Sequence, residues 1–370
     1  MPHRRRRAVE IETVAELEDR VRAGARSLAG WALQDLDLTG HSALLRGLDP
    51  QGAVFLGCRL AHADEEWLRS QGALLFPTVP DVPFDPYRAR LYTPTELYGG
   101  LVGGDYGATL DARVYAWTRR HHDLPAQLAR TLHDLAIDDA LAEHLHGRRV
   151  VGVMGGHATE RGCAAYRDAA LLGRSLARAG LTVATGGGPG AMEAANLGAY
   201  LSHTADEALD EALDVLAAVP SFTPSVGAWA EAAFAVRRRW PASGVSLGVP
   251  TWFYGHEPPN AFASQLAKYF GNAVREDVLL HVCRAGVVFL PGRGGTVQEV
   301  FQDACENYYA AEGSAAPMVL LGTAYWTEEL PVWPLLRALA EGRPMATSVH
   351  LVDDLDGVVG LLGAAERLDP

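Results

Sequence analysis

From residue 149 onward, short apolar runs alternate with helical stretches, and this alternation restricts the fold more than any other feature of the chain. Five runs have the apolar character of buried strands, and they cover residues 149–154, 181–185, 245–250, 286–291 and 317–322. Strands that are apolar on both faces are typical of parallel sheets covered by helices. We therefore expect an α/β, Rossmann-like domain over residues 146–370, with a parallel sheet that has helices on both faces.

The stretches between these strands are predicted to be helical, and a final helix, strand and helix are expected within residues 332–366. The predicted helices cover residues 161–179, 191–201, 206–219, 226–240, 261–283 and 297–311. In open parallel sheets, ligands bind at the carboxyl ends of the strands. The functional site is therefore expected in the loops that follow residues 154, 185, 250 and 290.

Residues 1–145 are predicted to form a smaller, mixed accessory domain, whose role the sequence does not reveal. In residues 33–60, apolar residues recur with turn residues between them, which indicates short strands. Four prolines within residues 77–86 exclude a helix there and favour an extended path. Residues 110–145 are predicted to form two amphipathic helices.

The composition narrows the classes of function. A formal net charge of −13 disfavours a nucleic-acid partner. The 4 cysteines form no CxxC pair and no metal-ligand cluster is visible, so we expect reduced thiols and no metal. No apolar run is long enough to span a membrane, and no apolar stretch follows Arg4–Arg7 as a signal peptide requires. We therefore expect a cytoplasmic protein that acts on a small molecule and needs no cofactor.

Two of the four expected site loops are rich in glycine and open a helix. The first is Thr185-Gly186-Gly187-Gly188-Pro189-Gly190, and the second is Pro291-Gly292-Arg293-Gly294-Gly295-Thr296. Glycine lets backbone N–H groups approach an anion, and the helix that follows adds unpaired N–H groups with partial positive charge. Such a helix start binds phosphate without a lysine. This suits a chain whose only lysine is Lys268.

The glycine-rich loops are also compatible with roles that involve no monophosphate. Glycines occur in tight strand-to-helix turns that bind nothing. Gly186, Gly188 and Ala191 satisfy the dinucleotide pattern G-x-G-x-x-A, but they follow the second strand of the domain rather than the first. A P-loop is excluded, because no Gly-Lys-Ser/Thr sequence is present.

Two charged residues near the second loop are candidates for chemistry. Glu299 lies three residues after Thr296, where a carboxylate either faces a bound sugar or is simply solvated near the helix start. Arg275 lies in a run that is otherwise apolar, where a surface salt bridge with Glu276 or Asp277 is the plainer interpretation.

Four further residues are possible substrate contacts because of their place in the site loops. Gly156 follows the first strand of the domain, and Glu193 lies on the helix after the first glycine loop. His256 follows the third strand and is either an acid for a leaving group or a structural histidine. Arg293 either contacts a phosphate or crowds the second loop.

The sequences TGGGPGAMEAANLGA and FLPGRGGTVQEVFQ, with Arg275 in the helix before the second, resemble the Lonely Guy family, whose members are often labelled lysine decarboxylase-like. The resemblance covers about residues 149–325 and is strongest to the larger bacterial nucleoside monophosphate nucleosidases. The chain departs from the family pattern at Arg293, where the family has glycine. It also has Glu276 in place of a lysine, and Gln298 in place of the first glutamate of a pair.

The resemblance implies a Rossmann-like fold, a homodimer or larger homo-oligomer, and hydrolysis of a nucleoside 5′-monophosphate to free base and ribose 5-phosphate. It assigns the catalytic roles to Arg275 and Glu299. It assigns phosphate binding to residues of both glycine loops: Gly187, Gly188, Gly190, Gly294, Gly295 and Thr296. The preferred base is not indicated.

Three alternatives to a phosphoribohydrolase remain. The first is a non-catalytic nucleotide sensor or carrier on the same fold. The second is a pyridoxal phosphate-dependent decarboxylase, for which Lys268 is the only available Schiff-base lysine. The third is a nicotinamide-dependent oxidoreductase that uses the first glycine loop.

Overall fold

The computed structural model of the chain describes residues 9–120, 123–241, 244–253 and 257–364. These residues divide into two compact units. One unit comprises the described residues of 1–90 and 121–140, and the other comprises those of 91–120 and 141–370. The domain boundary expected near residue 145 stays a prediction.

The first unit contains a parallel sheet whose four strands follow each other in chain order. The strands are β1 (Val9–Ile11), β2 (Trp31–Gln34), β3 (Val54–Leu56) and β4 (Leu74–Phe76). The connecting helices are α1 (Val14–Arg22), α2 (Ser42–Arg46) and α3 (His62–Ser70). Its core holds fully buried apolar side chains from strands and helices alike, among them Leu17, Leu33 and Leu68. The short strands expected within residues 33–60 are confirmed by β2 and β3.

The second unit contains a seven-stranded sheet in which every strand pair is parallel. Its strands are β5 (Val150–Met154), β6 (Thr182–Thr185), β7 (Ser246–Gly248), β8 (Gln265–Leu266), β9 (Val287–Phe289), β10 (Met318–Leu321) and β11 (Val349–Val352). The spatial order is β11-β10-β9-β5-β6-β7-β8. Every residue of β5, β6, β7, β9 and β10 is buried, as expected for strands covered on both faces. The predicted α/β class and parallel sheet are confirmed.

The remaining helices begin before this sheet and then alternate with its strands. They are α4 (Pro94–Leu97), α5 (Leu110–Thr118), α6 (Leu124–Leu145), α7 (Ala164–Arg178), α8 (Ala191–Tyr200), α9 (Asp206–Ala217), α10 (Val226–Arg239), α11 (Asn272–Val282), α12 (Gly294–Tyr308), α13 (Val332–Ala340) and α14 (Leu355–Ala364). None of the helices in the described residues is both long enough and apolar enough to cross a lipid bilayer.

The helix expected over residues 261–283 is wrong in its first half. Residues 258–263 and 266–270 are buried without interruption, and β8 pairs with β7 at the end of the sheet. The Asn260 side chain accepts hydrogen bonds from the N–H groups of Phe262 and Ala263 and so fixes the loop before β8. A short, mostly apolar run does not by its sequence distinguish a strand from a buried helix. Only α11 remains of the predicted helix.

Helices α7 and α8 pack against each other so closely that only glycine fits at two contact positions. A Cβ on Gly173 of α7 would lie 2.1 Å from the carbonyl oxygen of Ala195. A Cβ on Gly198 of α8 would lie 1.8 Å from the carbonyl oxygen of Ala170. Since both neighbours are backbone atoms, neither can move aside without displacing a helix. All residues of α8 are buried as a result.

Lys268 is a packing residue of this unit. It is 1% exposed, and its Nζ lies 2.5 Å from Oδ1 of Asp111 in α5. The indole N–H of Trp252 donates to the same carboxylate oxygen at 3.0 Å, and the hydroxyl of Tyr106 donates to the other oxygen. Burial lowers the pKa of Lys268, and the neighbouring Asp111 opposes that shift. The ammonium group is thus committed to a buried ion pair.

We predict opposite effects for two glycine-to-alanine substitutions in helices. Gly198→Ala is expected to destabilise the protein by about 3 kcal/mol or more, because its methyl group collides with backbone. Gly360→Ala in α14 is the matched control, since no described atom lies within 4 Å of the added methyl group. It is expected to stabilise by about 0.5–1 kcal/mol. Urea unfolding followed by tryptophan fluorescence measures both, and equal stability of the two variants would contradict the close packing of α7 and α8.

Candidate functional site

The order of the sheet reverses between β5 and β9, and two loops therefore lie side by side at its carboxyl edge. The chain adds β6, β7 and β8 on one side of β5, whereas β9, β10 and β11 lie on the other. The N–H of Gly156, after β5, donates to the carbonyl of Pro291, after β9, at 3.2 Å. Open α/β sheets bind their ligands at such a reversal. Gly156, a predicted substrate contact, thus places its backbone at the reversal between β5 and β9.

The first glycine loop, residues 186–190, is entirely buried. Gly187 and Gly190 both have φ of +73°, a backbone conformation that favours glycine. A Cβ on Gly190 would lie 2.4 Å from the carbonyl oxygen of Gly156. Asn260 holds the loop in place, because its backbone N–H and its side-chain amide donate to two loop carbonyls at 2.8 and 3.1 Å. Backbone conformation and close packing therefore already require glycine in this loop.

The second glycine loop is open. The first backbone bond of α12 runs from the N–H of Val297 to the carbonyl of Arg293 at 2.9 Å, so the N–H groups of residues 294–296 precede the helical bonds. Gly294 and Gly295 are exposed, and no described atom lies within 4 Å of a Cβ at either. Thr296 is buried behind them. This helix start is accessible to an anion, in contrast to the buried first loop.

Arg293 is paired outside the loop. Its Nη2 lies 3.1 Å from Oε1 of Glu329, and its side chain is 76% exposed. It therefore does not fill the space in front of Gly294 and Gly295. A contact between Arg293 and a phosphate requires its release from Glu329, which costs little because exposed ion pairs are weak.

Arg275 and Glu299 lie together, although 24 positions separate them in the chain. The guanidinium Nη1 of Arg275 lies 4.0 Å from Oε1 of Glu299, and the two side chains are 12% and 14% exposed. The same guanidinium donates to the carbonyl of Val249 at 2.6 Å and to that of Gly186 at 3.3 Å. Arg275 thus connects the ends of β6 and β7 to the first turns of α12.

Burial raises the pKa of the Glu299 carboxyl to about 7. The attraction of Arg275 lowers this pKa, but the nearby carboxylates of Glu276 and Glu257 raise it further. The group therefore changes its protonation state near neutral pH. A carboxyl of this kind can accept a proton as a general base or donate one as an acid.

A second buried carboxyl lies one turn further along α12. Asp303 is 4% exposed, and burial, with a smaller contribution from Glu306, raises its pKa to about 8. Its Oδ2 has no hydrogen-bond partner within the described parts of the chain. Nothing in the amino-acid sequence singles out Asp303, because an aspartate at this helical position is usually solvated.

Glu276 and Gln298, two departures from the family pattern, contact each other beside Arg275 and Glu299. The side-chain amide of Gln298 donates to the carboxylate of Glu276, which also accepts from Asn272 at 2.9 Å. The residues that replace the usual lysine and glutamate are thus hydrogen-bonded to each other. Arg275 and Glu299, which match the family pattern, are their neighbours in sequence.

His256 lies outside the described residues, but the next residue of its loop is placed at the site. Oε1 of Glu257 lies 3.5 Å from Nδ1 of His157, which belongs to the loop after β5. A Cβ on Gly188 would lie 3.6 Å from Oε2 of the same glutamate. Glu257 therefore places negative charge beside the first glycine loop. In the sequence, only the position of its loop after the third predicted strand indicated that Glu257 could lie at the site.

Glu193 is buried in an ion pair beneath the edge of the sheet. Its Oε2 accepts from Nε of Arg161 at 3.0 Å, and both side chains are at most 1% exposed. Arg161 also donates to the carbonyls of Val219 and Trp229 at 3.3 and 3.1 Å. Direct contact of a ligand with Glu193 would require this ion pair to open. Arg161 was missed in the sequence, where it stands among turn residues without a recognisable pattern.

The structure therefore brings Arg275, Glu299 and the open start of α12 together, with Glu257 and His157 nearby. In the described ranges, no group of three or more His, Cys, Asp or Glu side chains could hold a metal ion.

A protein-family model matches part of the second unit. Residues 148–205 match the family described as LDcluster4, the SLOG cluster4 family. The SLOG superfamily includes Lonely Guy-like folds. The matched segment contains β5, β6, α7, α8 and the first glycine loop. Arg275 and Glu299 lie outside it.

Solved structures with a similar fold include two cofactor-binding proteins. A molybdenum cofactor binding protein from the phototrophic bacterium Rippkaea orientalis is 17% identical, with a TM-score of 0.38, and the match covers 60% of this chain and 98% of that one. A Moco carrier protein from Chlamydomonas reinhardtii is 19% identical, with a TM-score of 0.35, over 60% of this chain and 97% of that one. At TM-scores this low, the likeness carries no argument about this chain. A search among curated proteins finds none that matches.

We predict that Glu299→Gln stabilises the protein more at pH 8 than at pH 5. The folded state raises the pKa of Glu299 from 4.5 to about 7, so its contribution to stability is complete below pH 4.5 and is lost as the pH rises through 7. Glutamine mimics the protonated carboxyl and is insensitive to pH. The stabilisation by the substitution is expected to be about 2–3 kcal/mol larger at pH 8 than at pH 5.

Urea unfolding of the wild-type protein and the variant at both pH values measures this difference. Glu328→Gln is a suitable control, since Glu328 is exposed on the turn Tyr325–Glu329. A stabilisation of Glu299→Gln that is the same at both pH values would contradict the raised pKa.

Proposed function

We propose that the protein hydrolyses the N-glycosidic bond of a nucleoside 5′-monophosphate, with Glu299 as the catalytic carboxylate. The observation that carries this proposal is the position of Glu299: it is nearly buried, lies 4.0 Å from Arg275, and is one helical turn from Thr296. The open helix start offers a phosphate site, and Glu299 offers a carboxylate further along the same helix.

The phosphate is assigned to the start of α12 rather than to the first glycine loop. Gly294 and Gly295 are exposed there, and the helix dipole favours an anion. The first loop is buried and has the carboxylate of Glu257 next to Gly188, which repels a phosphate. The role of Gly187, Gly188 and Gly190 in this proposal is to position the backbone around the site.

The proposed reaction breaks the bond between C1′ of the ribose and a ring nitrogen of the base. The electron pair of that bond leaves with the base, which takes up a proton and departs. The sugar passes through an oxocarbenium-like state that a carboxylate stabilises. Water adds to C1′ and gives one proton to Glu299, which releases it to solvent and so balances the proton that the base takes up from solvent. Free base and ribose 5-phosphate are formed and no cofactor is consumed.

Arg275 is assigned a positioning role in addition to its charge. Its donors already hold the carbonyls of Val249 and Gly186, and its remaining nitrogen faces Glu299. The positive charge lowers the pKa of Glu299 and so keeps a fraction of the carboxyl ionised at neutral pH. Loss of Arg275 would therefore disturb both the shape of the site and the ionisation of Glu299.

A nucleotide carrier without catalysis is the second candidate. The observation that favours it is that the guanidinium of Arg275 is already engaged by two carbonyls and a carboxylate, which leaves little of it for a substrate. The open helix start would still bind a phosphate. The two candidates differ in turnover and share the phosphate site.

We predict that the purified protein releases free base from at least one of AMP, GMP, IMP, CMP and UMP, as measured by chromatography. Glu299→Gln is expected to lower kcat by a factor of about 100 or more, since it removes the proton acceptor. Glu328→Gln is expected to leave kcat unchanged. Base release by Glu299→Gln at the wild-type rate would refute the assigned role, and nucleotide binding without release of any base would favour the carrier.

We also predict that kcat/KM falls as the pH decreases below about 7. The ionised form of Glu299 accepts the proton of water, and its pKa is raised to about 7, so acidification removes the active form. A pH profile between 5 and 9 measures this, with a tenfold loss per pH unit expected on the acid side. A profile that rises towards acid would instead assign Glu299 the role of an acid.

A further inference from the structure

A pocket of about 220 Å³ opens at the carboxyl edge of the sheet, next to the residues described above. Three segments form its walls: the loop after β5 (residues 157–161), the start of α8 at Gly190, and the connection between α9 and α10 (residues 220–223), with Trp229 of α10 behind it. Pockets for whole drug-sized molecules measure about 300–1,000 Å³. This pocket therefore fits one part of a ligand, such as a ring system.

Arg161, Glu193 and His157 at the pocket are paired, and Glu160 adds an exposed carboxyl to its lining. Arg161 and Glu193 form the buried ion pair beneath it, and the other guanidinium donors of Arg161 are bonded to carbonyls. His157 lies 3.5 Å from Glu257 at the edge of the pocket. Every cationic side chain named here already has a partner, so none of them is free to bind a phosphate. A neutral occupant suits it better than an anion.

The remaining lining is aromatic and hydroxylic. The rings of Phe222 and Trp229 form an edge-to-face pair with centroids 6.4 Å apart. Thr159, Ser221 and Thr223 add hydroxyl groups. The hydroxyls of Ser221 and Thr223 bond to each other at 3.1 Å, which leaves one donor and further acceptor capacity between them for a ligand. Aromatic walls with several hydroxyls complement a flat, uncharged heterocycle that carries its own donors and acceptors.

The pocket adjoins the proposed reaction site through one shared residue. His157 lines the pocket, and its partner Glu257 lies beside Gly188 and acts on the pKa of Glu299. His157 and Glu257 therefore connect the pocket to the neighbourhood of Glu299.

We propose that this pocket binds the neutral nucleobase of the nucleotide and that residues 220–223 determine which base is preferred. This inference rests on the proposed function, because it places the sugar at Glu299. It assigns a binding role to Ser221 and Thr223, which lie in the connection between α9 and α10 and outside both glycine loops.

The test measures binding of adenine, guanine, hypoxanthine, cytosine and uracil, and separately of ribose 5-phosphate, by calorimetry. Ser221→Trp is designed to fill the pocket, and Ser314→Trp is the matched control on an exposed turn. Ser221→Trp is expected to weaken binding of the preferred base at least tenfold and to leave ribose 5-phosphate affinity within twofold. Ser314→Trp is expected to change neither.

A folded Ser221→Trp variant that binds every base as the wild type does would overturn the proposal. An equal loss of ribose 5-phosphate affinity would also overturn it, since the sugar phosphate would then occupy the pocket. If Ser221→Trp does not fold, Ser221→Ala replaces it. Loss of one hydrogen bond is then expected to change the affinity ratio between two bases about five- to tenfold, and unchanged ratios would count against the proposal.

The outcome is separable from that of the proposed function. Turnover of a nucleotide with unchanged base selectivity in both Ser221 variants would retain the hydrolase and reject the pocket. Selective loss of base binding in Ser221→Trp, without turnover of any nucleotide by the wild type, would retain the pocket and reject the hydrolase.

Discussion

The close approach of α7 and α8 is the constraint on which the site depends. Gly173 and Gly198 allow the two helix backbones to touch, and α8 is buried along its whole length as a result. The start of α8 is thereby pressed against the loop after β5, where the carbonyl of Gly156 leaves no space for a side chain at Gly190. The same placement sets Glu193 against Arg161. Packing between these two helices thus fixes the backbone around the first glycine loop.

Helix α12 combines two opposite electrostatic effects within three turns. Its exposed start favours negative charge through unpaired N–H groups. Further along, burial raises the pKa values of Glu299 to about 7 and of Asp303 to about 8. Both carboxyls lie beyond the first turn of α12, where the effect of the helix start has fallen off, and burial is the largest cause of both shifts. An anion and a neutral or weakly ionised carboxyl can therefore be held by one rigid element without strong mutual repulsion.

The sheet and the Arg275–Glu299 neighbourhood were predictable from the sequence, whereas most other contacts were not. Continuous apolar strands specify a covered parallel sheet, and the family resemblance singled out both Arg275 and Glu299 as catalytic candidates. The false helix at the start of residues 261–283 arose because an apolar run has no period that separates helix from strand. Arg161 with Glu193, and His157 with Glu257, join positions far apart in the chain. Such contacts are set by tertiary packing, and no local sequence pattern predicts them.

The burial of Lys268 against Asp111 has a consequence for the chemical behaviour of the folded chain. Since every other basic side chain among the 32 lysines and arginines is an arginine, the native protein presents no accessible lysine amine. Amine-directed cross-linkers, acylating reagents and lysine-specific proteases act on Lys268 only when the region around Trp252 and α5 opens. The rate at which this residue is modified would therefore report local unfolding of that region at a single defined position.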